Sequence, residues 1–455
     1  MDSELDQLDA LLALLTQAVR TIKSAYQEAK ERIPDLDDPS IQARTPRPNG
    51  EEVQQARKIV RGASAQLLAV VEEPEETLIQ MANSAFETAA LRVAAGACVA
   101  DHLLDRPEGV HISELSAKCG IAGDKLARIL RLLSCKHVFR ELQPGVFANT
   151  RLSARLSKQH AIWDFVGHMT DEAFRSSAYL FDALTTKPSK TPFAHAYEFD
   201  GGYWEYISTV DKAMGERFGR AMMGVGMSEV GPFLSNFPWD TLPEGTTICD
   251  VGGGIGTISM ALAARFPQLR FVLQEMPGTL EQARRVWGEK APEAVSGGRV
   301  EFRALDFLKE GPKEGCGLYY LKHIIHDWPD EEAVRILKNV RSSMRPKARL
   351  LLHEFVMQPL VPSAAEGPDT SNGAHSAQTL TDRAPLPLLS NYGAGGLRGH
   401  YADMAMLCML GSQERTLPEF CALAGRAGLE LRRVWRLGGE QRLLEFGLGE
   451  GGKEI

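Results

Sequence analysis

The sequence predicts an α/β protein: an open, mostly parallel sheet closed at one edge by an antiparallel C-terminal hairpin, preceded by an α-helical half containing a winged-helix unit. Three observations predict it. From Thr246 onward the short apolar runs TTICDVGG, RFVLQE, VEFRALD, GLYYLKH and RLLLHEF alternate with amphipathic stretches, the texture of five buried parallel strands with crossover helices. After the helical stretch TLPEFCALAGRAG, the runs LELRRVWRL and QRLLEFGL are joined by Gly438, Gly439 and Glu440, which reads as a terminal hairpin. Between Val110 and Thr150 the pattern is a short helix, a turn at Gly120, a second helix and two short strands around Pro144 and Gly145, a winged helix.

The 455 residues suggest two to three domains, drawn at 1–155, 156–240 and 241–455. Leu5, Leu8, Leu11, Leu12, Leu15, Val19 and Ile22 lie on one stripe of an N-terminal helix over 4–30, which packs on its own domain or against a second copy. Prolines 34, 39, 46 and 48 then interrupt the pattern, and helical periodicity resumes near Glu52. Residues 156–235 are helix-like and rich in aromatics and methionine. The segment Pro362–Gly399 has no period and is dominated by Ser, Ala, Gly, Pro and Thr, so it reads as a flexible insert. Because it leaves the carboxyl end of the fifth strand, it is either a lid over a ligand or a passive insertion.

Composition narrows the function. A winged helix most often binds DNA, but here the second helix spends its positions on Leu126, Ile129, Leu130 and Leu133 with only Arg128, Arg131 and Lys136 as basic residues nearby, and the chain carries a net charge of -8. No nucleic-acid partner is expected. The seven cysteines form no CxxC pair and no zinc spacing, which points to a reducing compartment. The N-terminus fits neither a secretory signal nor a transit peptide, and no stretch reaches the roughly 18 apolar residues of a membrane span. A cytoplasmic protein without membrane contact is expected.

The strongest local signal is Asp250-Val251-Gly252-Gly253-Gly254-Ile255-Gly256 between the first strand and the helix after it. Glycines there let the backbone turn sharply and lie against a ligand. Neither register completes the GxGxxG of a dinucleotide site, since Thr257 or Ser259 occupies the last position. Asp250 would repel a pyrophosphate but suits an ammonium group, which favours S-adenosylmethionine. Glu275, at the end of the second strand, can take ribose hydroxyls, and Asp306 with Phe307, at the end of the third, suits an adenine amino group and ring face. Carboxylates at strand ends are also common helix caps, so the set carries more weight than any member.

The fourth strand runs into Lys322-His323-Ile324-Ile325-His326-Asp327-Trp328-Pro329-Asp330, and the fifth ends in His353-Glu354. Methylating a phenol requires removal of its proton as the oxygen attacks, a task for a neutral imidazole held by a carboxylate. His326 with Glu354 fits that pairing. The rival is a metal bound by His323, His326 and Asp327. Ligands three apart suit a helix rather than a strand entering a loop, so no metal is expected.

These motifs together resemble the S-adenosylmethionine-dependent O-methyltransferases of the plant caffeic acid and flavonoid type and, closer in style, the fungal polyketide and phenolic O-methyltransferases. The resemblance rests on DVGGGIG, QEMP, LKHIIHDWPDEEAVRILKN, LLLHEF and GSQERTLPEF, in family order and spacing, and covers roughly Thr77 to Phe446. It implies a Rossmann-like methyltransferase domain behind a helical and winged-helix dimerisation domain, and hence a homodimer. It also implies transfer from S-adenosylmethionine to a hydroxyl of a small aromatic acceptor in secondary metabolism. Residue by residue, it places the catalytic base on His326 and its orienting acids on Glu354 and Glu414. Cofactor contacts fall on Gly252, Gly254, Glu275, Asp306, Phe307 and the backbone of Lys322, with Asp250 at the methionine end. Acceptor contacts fall on Met222, Met406 and Asp327, and on His323, where plant members often carry a bulky aromatic. The connector 156–240 would line the acceptor pocket. An N- or C-methyltransferase on the same scaffold is the alternative, because a fold does not fix its acceptor.

Overall fold

The computed structural model of the chain describes residues 2–40, 48, 50–186, 190–361, 383–437 and 440–449. Its contacts divide it into one unit of residues 16–56 and 64–225 and another of residues 1–15, 57–63 and 226–455. The expected boundary at 155 is therefore no break in packing. Residues 156–225 cluster with the N-terminal part, and the helix Lys212–Asn236 carries the chain from one unit into the other.

In the first unit, β1 (Val110–His111), β2 (Phe139–Gln143) and β3 (Val146–Asn149) form an antiparallel sheet in the order β1-β3-β2 beside the helices Ile112–Cys119 and Gly123–Cys135. The second helix turns Leu126, Leu130 and Leu133 inward onto Leu115, Phe139 and Phe147. Two nearby basic residues are engaged locally: Arg131 pairs with Glu141 at 2.9 Å and Lys136, just past the helix, with Glu87 at 2.8 Å. Further along, a single π-turn over Met169–Ala173 buries Asp171 and Glu172. Arg92, Arg175 and Arg217 pair with Asp171 at 2.6–3.0 Å, so the buried charge is balanced.

The second unit holds β4 (Thr247–Val251), β5 (Arg270–Glu275), β6 (Val300–Ala304), β7 (Leu318–Lys322), β8 (Arg349–Met357), β9 (Arg415–Thr416), β10 (Leu429–Arg436) and β11 (Gln441–Leu448). The sheet order is β10-β11-β8-β7-β4-β5-β6. β4 to β8 run parallel, and β11 and β10 are added antiparallel, with Leu444 opposite Leu352 and Val434 opposite Leu444. The five expected strands and the hairpin are present; Gly438 and Gly439 at its turn lie outside the described residues. One expectation fails: VEFRA is not buried on both faces, because β6 is an edge strand and leaves Glu301, Arg303 and Ala304 exposed.

Strand alternation sorts side chains between two cores. Leu350 and Leu352 join Leu321, Ile336 and Phe420 on one face, and Leu351 joins Ile248, Phe271, Trp287 and Tyr320 on the other. Continuing that alternation along β8 sends Glu354 and His353 to opposite faces.

The stretch 362–399 is not uniform. Residues 362–382 lie outside the described residues, whereas the chain from 383 onward is packed. Leu388 and Tyr392 are buried there, Lys58 sits 5.3 Å over the Tyr392 ring, and Ser390 Oγ donates to the Pro359 carbonyl at 2.5 Å. Two apolar anchors suffice to fix a segment whose composition hides them. The N-terminal helix spans Asp2–Glu28, but only part of its stripe is covered: Leu11 is buried, while Leu12 and Val19 are exposed. Among the described residues no helix is long and apolar enough to cross a membrane.

Candidate active site

The carboxyl ends of β4, β5, β7 and β8 meet at one edge of the sheet, where ligands of open α/β folds bind. Gly252, Gly254 and Gly256 all have positive φ (68°, 58° and 80°), a region L-residues rarely adopt. A Cβ on Gly252 would stand 2.6 Å from Ile324 Cδ1 and 3.3 Å from the Phe307 ring. The glycines therefore hold open a cradle that side chains would fill.

Asp250 lies beneath it, buried, and accepts from Ser259 Oγ at 2.5 Å. Burial raises its pKa to about 6, with the Ser259 bond pulling the other way. Glu275 is oriented by two backbone amides, Gly254 N–H on Oε2 at 3.1 Å and Met276 N–H on Oε1 at 2.7 Å. Asp306 accepts from Leu308 N–H at 3.2 Å and pairs with Lys309 at 2.8 Å, while Phe307 packs edge-on against Trp328 at 6.0 Å. A glycine cradle flanked by one buried carboxyl and one amide-held carboxylate fits an adenosyl amino acid better than a pyrophosphate.

At the end of β7 the backbone turns: His323 has φ +52°, and a 3₁₀ turn over Ile325–Asp327 follows. This brings the His323 and His326 rings to 4.9 Å between centroids. The direct partner of His326 is Glu414, whose Oε1 lies 2.7 Å from Nδ1; Glu354 Oε2 lies 3.8 Å from the same nitrogen. Glu354 instead uses Oε1 to accept the Ile324 and Ile325 N–H groups at 3.1 and 2.9 Å, which holds the turn in shape. Asp327 Oδ1 is 3.4 Å from His326 Nε2. Burial alone would lower the His326 pKa, but Glu414, Glu354 and Asp327 together outweigh it and raise it to about 10. Burial raises Glu354 and Asp327 to about 7 each, with His326 opposing.

Arg415 fastens the same loop, donating to the Ile325 and Trp328 carbonyls at 2.9 and 2.8 Å and pairing with Asp330 at 2.8 Å. Ser412 Oγ donates to the His326 carbonyl at 2.5 Å, and Asp403 Oδ1 accepts the Glu414 N–H at 2.8 Å. Met406, half-buried, lies three residues after Asp403 on the helix Leu397–Leu410 and so shares its side of the helix. Met222 lies in the other unit, exposed on the helix Lys212–Asn236.

Behind His323 stands a buried polar relay that sequence reading missed. Tyr320 OH lies 2.8 Å from His353 Nδ1, and His353 Nε2 lies 3.0 Å from Gln441 Oε1. Gln441 Nε2 donates to Glu229 Oε1 at 2.7 Å and reaches His323 Nε2 at 3.0 Å. Glu229 is held ionised: burial pushes its pKa up, but Lys322 at 2.9 Å and Arg398 at 2.9 Å outweigh that and keep it low. An ionised carboxylate only accepts, so the amide nitrogen of Gln441 must face it. The signal in the sequence was a Gln and an Arg opening the largely apolar run of β11, and a Glu in the helix Lys212–Asn236. Nothing local says what they meet, 118 and 212 residues apart for the two Gln441 contacts.

His323, His326 and Glu354 also form a cluster whose possible ligand atoms lie within 4.8 Å of one another. Contrary to the expectation from spacing, the turn after β7 brings two histidines three residues apart together as a helix would have done.

Residues 79–159 match the O-methyltransferase dimerisation domain and residues 177–374 the O-methyltransferase domain. The chain is 35% identical over 450 residues to 3-O-methyltransferase 2 of Phanerochaete chrysosporium, covering 96% of this chain and 97% of that one. It is 30% identical to sterigmatocystin 8-O-methyltransferase of Aspergillus parasiticus, covering 87% and 86%. Among solved structures it is similar to CalO1, a methyltransferase in calicheamicin biosynthesis in its SAH-bound form, with a TM-score of 0.62, 27% identity and coverage of 83% and 100%.

Proposed function

Given that the chain belongs to the S-adenosylmethionine-dependent O-methyltransferase family, whose members act on secondary metabolites, we propose that it methylates a hydroxyl of a small aromatic acceptor, with His326 as general base and no metal. The observation that carries this reading is the 2.7 Å contact of Glu414 with His326 Nδ1, which leaves Nε2 to take a proton. S-adenosylmethionine supplies an already activated methyl group, so the remaining work is alignment and removal of one proton. Gly252, Gly254, Glu275, Asp306, Phe307 and Lys322 would hold that cofactor, with Asp250 at its ammonium. Met406 and Asp327, both in the unit that carries His326, would contact the acceptor. Incubation with labelled S-adenosylmethionine and a panel of phenols, read by mass spectrometry, tests the reading; no methylated phenol from a cofactor-binding protein would defeat it.

Metal independence is supported by protonation rather than by spacing. With Gln441 oriented by Glu229, its N–H meets His323 Nε2, which must then be the lone-pair nitrogen, so Nδ1 carries the proton. A protonated nitrogen is no ligand, and His326 Nδ1 is engaged by Glu414.

The charge around His326 sets a pH dependence. A base must be unprotonated, so activity is expected to rise with pH above neutrality toward the His326 pKa of about 10. A cationic ligand nearby lowers that value. Glu414→Gln removes the carboxylate that raises it most and is expected to move the ascending limb to lower pH by about one to two units. An unmoved limb in this variant would assign the titration to another group.

The chain carries a dimerisation domain, and the homodimer proposed for it is supported by Leu78, Ile79, Met81 and Phe86, all more than half exposed along the helix Pro74–Gly96. Light scattering is expected to give twice 49.9 kDa, and Leu78→Glu with Phe86→Glu to shift it to 49.9 kDa. A wild-type monomer at micromolar concentration would remove the proposal. A reducing, cytoplasmic location is proposed on the seven free cysteines.

A further inference from the structure

The relay behind His323 has a consequence for the acceptor. Each link forces the next. Burial raises the Tyr320 pKa well above its usual value, so its hydroxyl keeps its proton and can donate to His353 Nδ1. His353 Nε2–H then donates to Gln441 Oε1, the only polarity that avoids two lone pairs facing each other. Gln441 spends its two N–H bonds on Glu229 and on His323 Nε2, since turning the amide over would set its oxygen 2.7 Å from an ionised carboxylate. The Phe233 ring stacks on His353 at 5.4 Å and closes the far side of the relay. His323 is thereby left with one hydrogen, on Nδ1, and burial beside Lys322 keeps it uncharged.

That hydrogen lacks a good partner. The nearest carboxylate oxygen, Glu354 Oε2, is 3.9 Å away, too far for a hydrogen bond, and is itself buried without one. His323 also keeps 19% of its side chain exposed, against 9% for His326 and none for Glu354. Its left-handed backbone, costly for a non-glycine residue, is held by a bond from its own N–H to the His353 carbonyl at 3.1 Å. A strained residue with a fixed, unspent donor beside the proposed base is a recognition element.

We propose that His323 selects the acceptor, its Nδ1–H binding an oxygen that only accepts, a carbonyl or an ether, next to the hydroxyl that is methylated. The inference rests on the reading of His326 as the base. The two ring centroids lie 4.9 Å apart, close enough for one acceptor to present an oxygen to each ring, as a hydroxyl and a neighbouring carbonyl joined by an internal hydrogen bond of about 2.6–2.8 Å would do. A donor on the carbonyl weakens that internal bond and frees the hydroxyl proton for His326. Gln441 and Glu229 are positioning residues, acting only through the His323 tautomer. The preferred substrates are therefore phenols with a carbonyl or alkoxy oxygen ortho or peri to the reacting hydroxyl.

The test compares matched acceptors, 2-hydroxyaryl and 4-hydroxyaryl ketones and the corresponding methoxyphenols, by kcat/KM. The wild type is expected to favour the ortho member of each pair by about 10-fold or more, the worth of one well-placed hydrogen bond. His323→Leu is expected to bring the ratio near one mainly through KM, and Gln441→Leu, which frees the tautomer, to reduce it partway; His323→Asn, which keeps a donor, should restore part of it. Cofactor affinity measured in the same variants reports whether they fold. A ratio unchanged in His323→Leu, an equal loss on both members of each pair, or a wild type without the preference overturns the proposal. Full activity in His326→Ala with the ortho preference intact would overturn the base assignment and leave the selectivity standing.

Discussion

Replacing His326 by alanine is expected to lower turnover by about 10²–10⁴-fold on a phenol that is neutral in solution, while cofactor affinity changes little. His326 is fixed from three directions: Glu414 on its ring Nδ1, the Ser412 hydroxyl donating to its backbone carbonyl, and a turn pinned by Glu354 and Arg415. The ring itself meets Glu414, Glu354 and Asp327 rather than the glycines, which is why its removal should separate catalysis from cofactor binding. A more acidic phenol, already ionised at the assay pH, should recover part of the loss, because it no longer needs a base. If EDTA abolishes wild-type activity and a divalent metal restores it, the His323, His326 and Glu354 cluster binds metal and the base assignment falls.

The second large effect belongs to the cradle. Gly252→Val places a β-branched residue at φ +68°, with its Cβ 2.6 Å from Ile324, and is expected to reduce S-adenosylmethionine affinity by about 100-fold or more as the loop is forced out of shape. Asp250→Asn is the gentler probe. It keeps an acceptor for Ser259 but removes the charge proposed to meet the ammonium group, and should weaken binding by about 10- to 100-fold. With the Asp250 pKa at about 6, wild-type affinity should fall as pH drops through 6, where the carboxylate takes a proton, and the variant should lose that dependence. Calorimetry across pH 5–8 decides it; a pH response retained by Asp250→Asn assigns the titration elsewhere.

Much of this was legible in the chain. Short continuous apolar runs alternating with helical stretches marked the parallel strands, because a strand buried on both faces must be largely apolar, and the runs after the last helix marked the hairpin. The cradle was legible because its constraint is local: only glycine tolerates those dihedral angles and that approach. The edge position of β6 was not, since strand order depends on which strands find each other and not on what each contains. Nor was the packing of residues 383–399, where two anchors outweigh a loop-like composition.

The sequence by itself determined the fold class, the family and the residue types at the cleft, because each follows from periodicity or from motifs a few residues long. Tertiary structure alone decided which carboxylate touches His326 and which holds the turn beneath it, since Glu414 and Glu354 lie 88 and 28 residues away along the chain and differ only in where their strands and loops end. It also decided the protonation of His323. That state is set by Gln441, Glu229, His353 and Tyr320, gathered from four elements, and a hydrogen-bond relay has a direction only when all its members are in place.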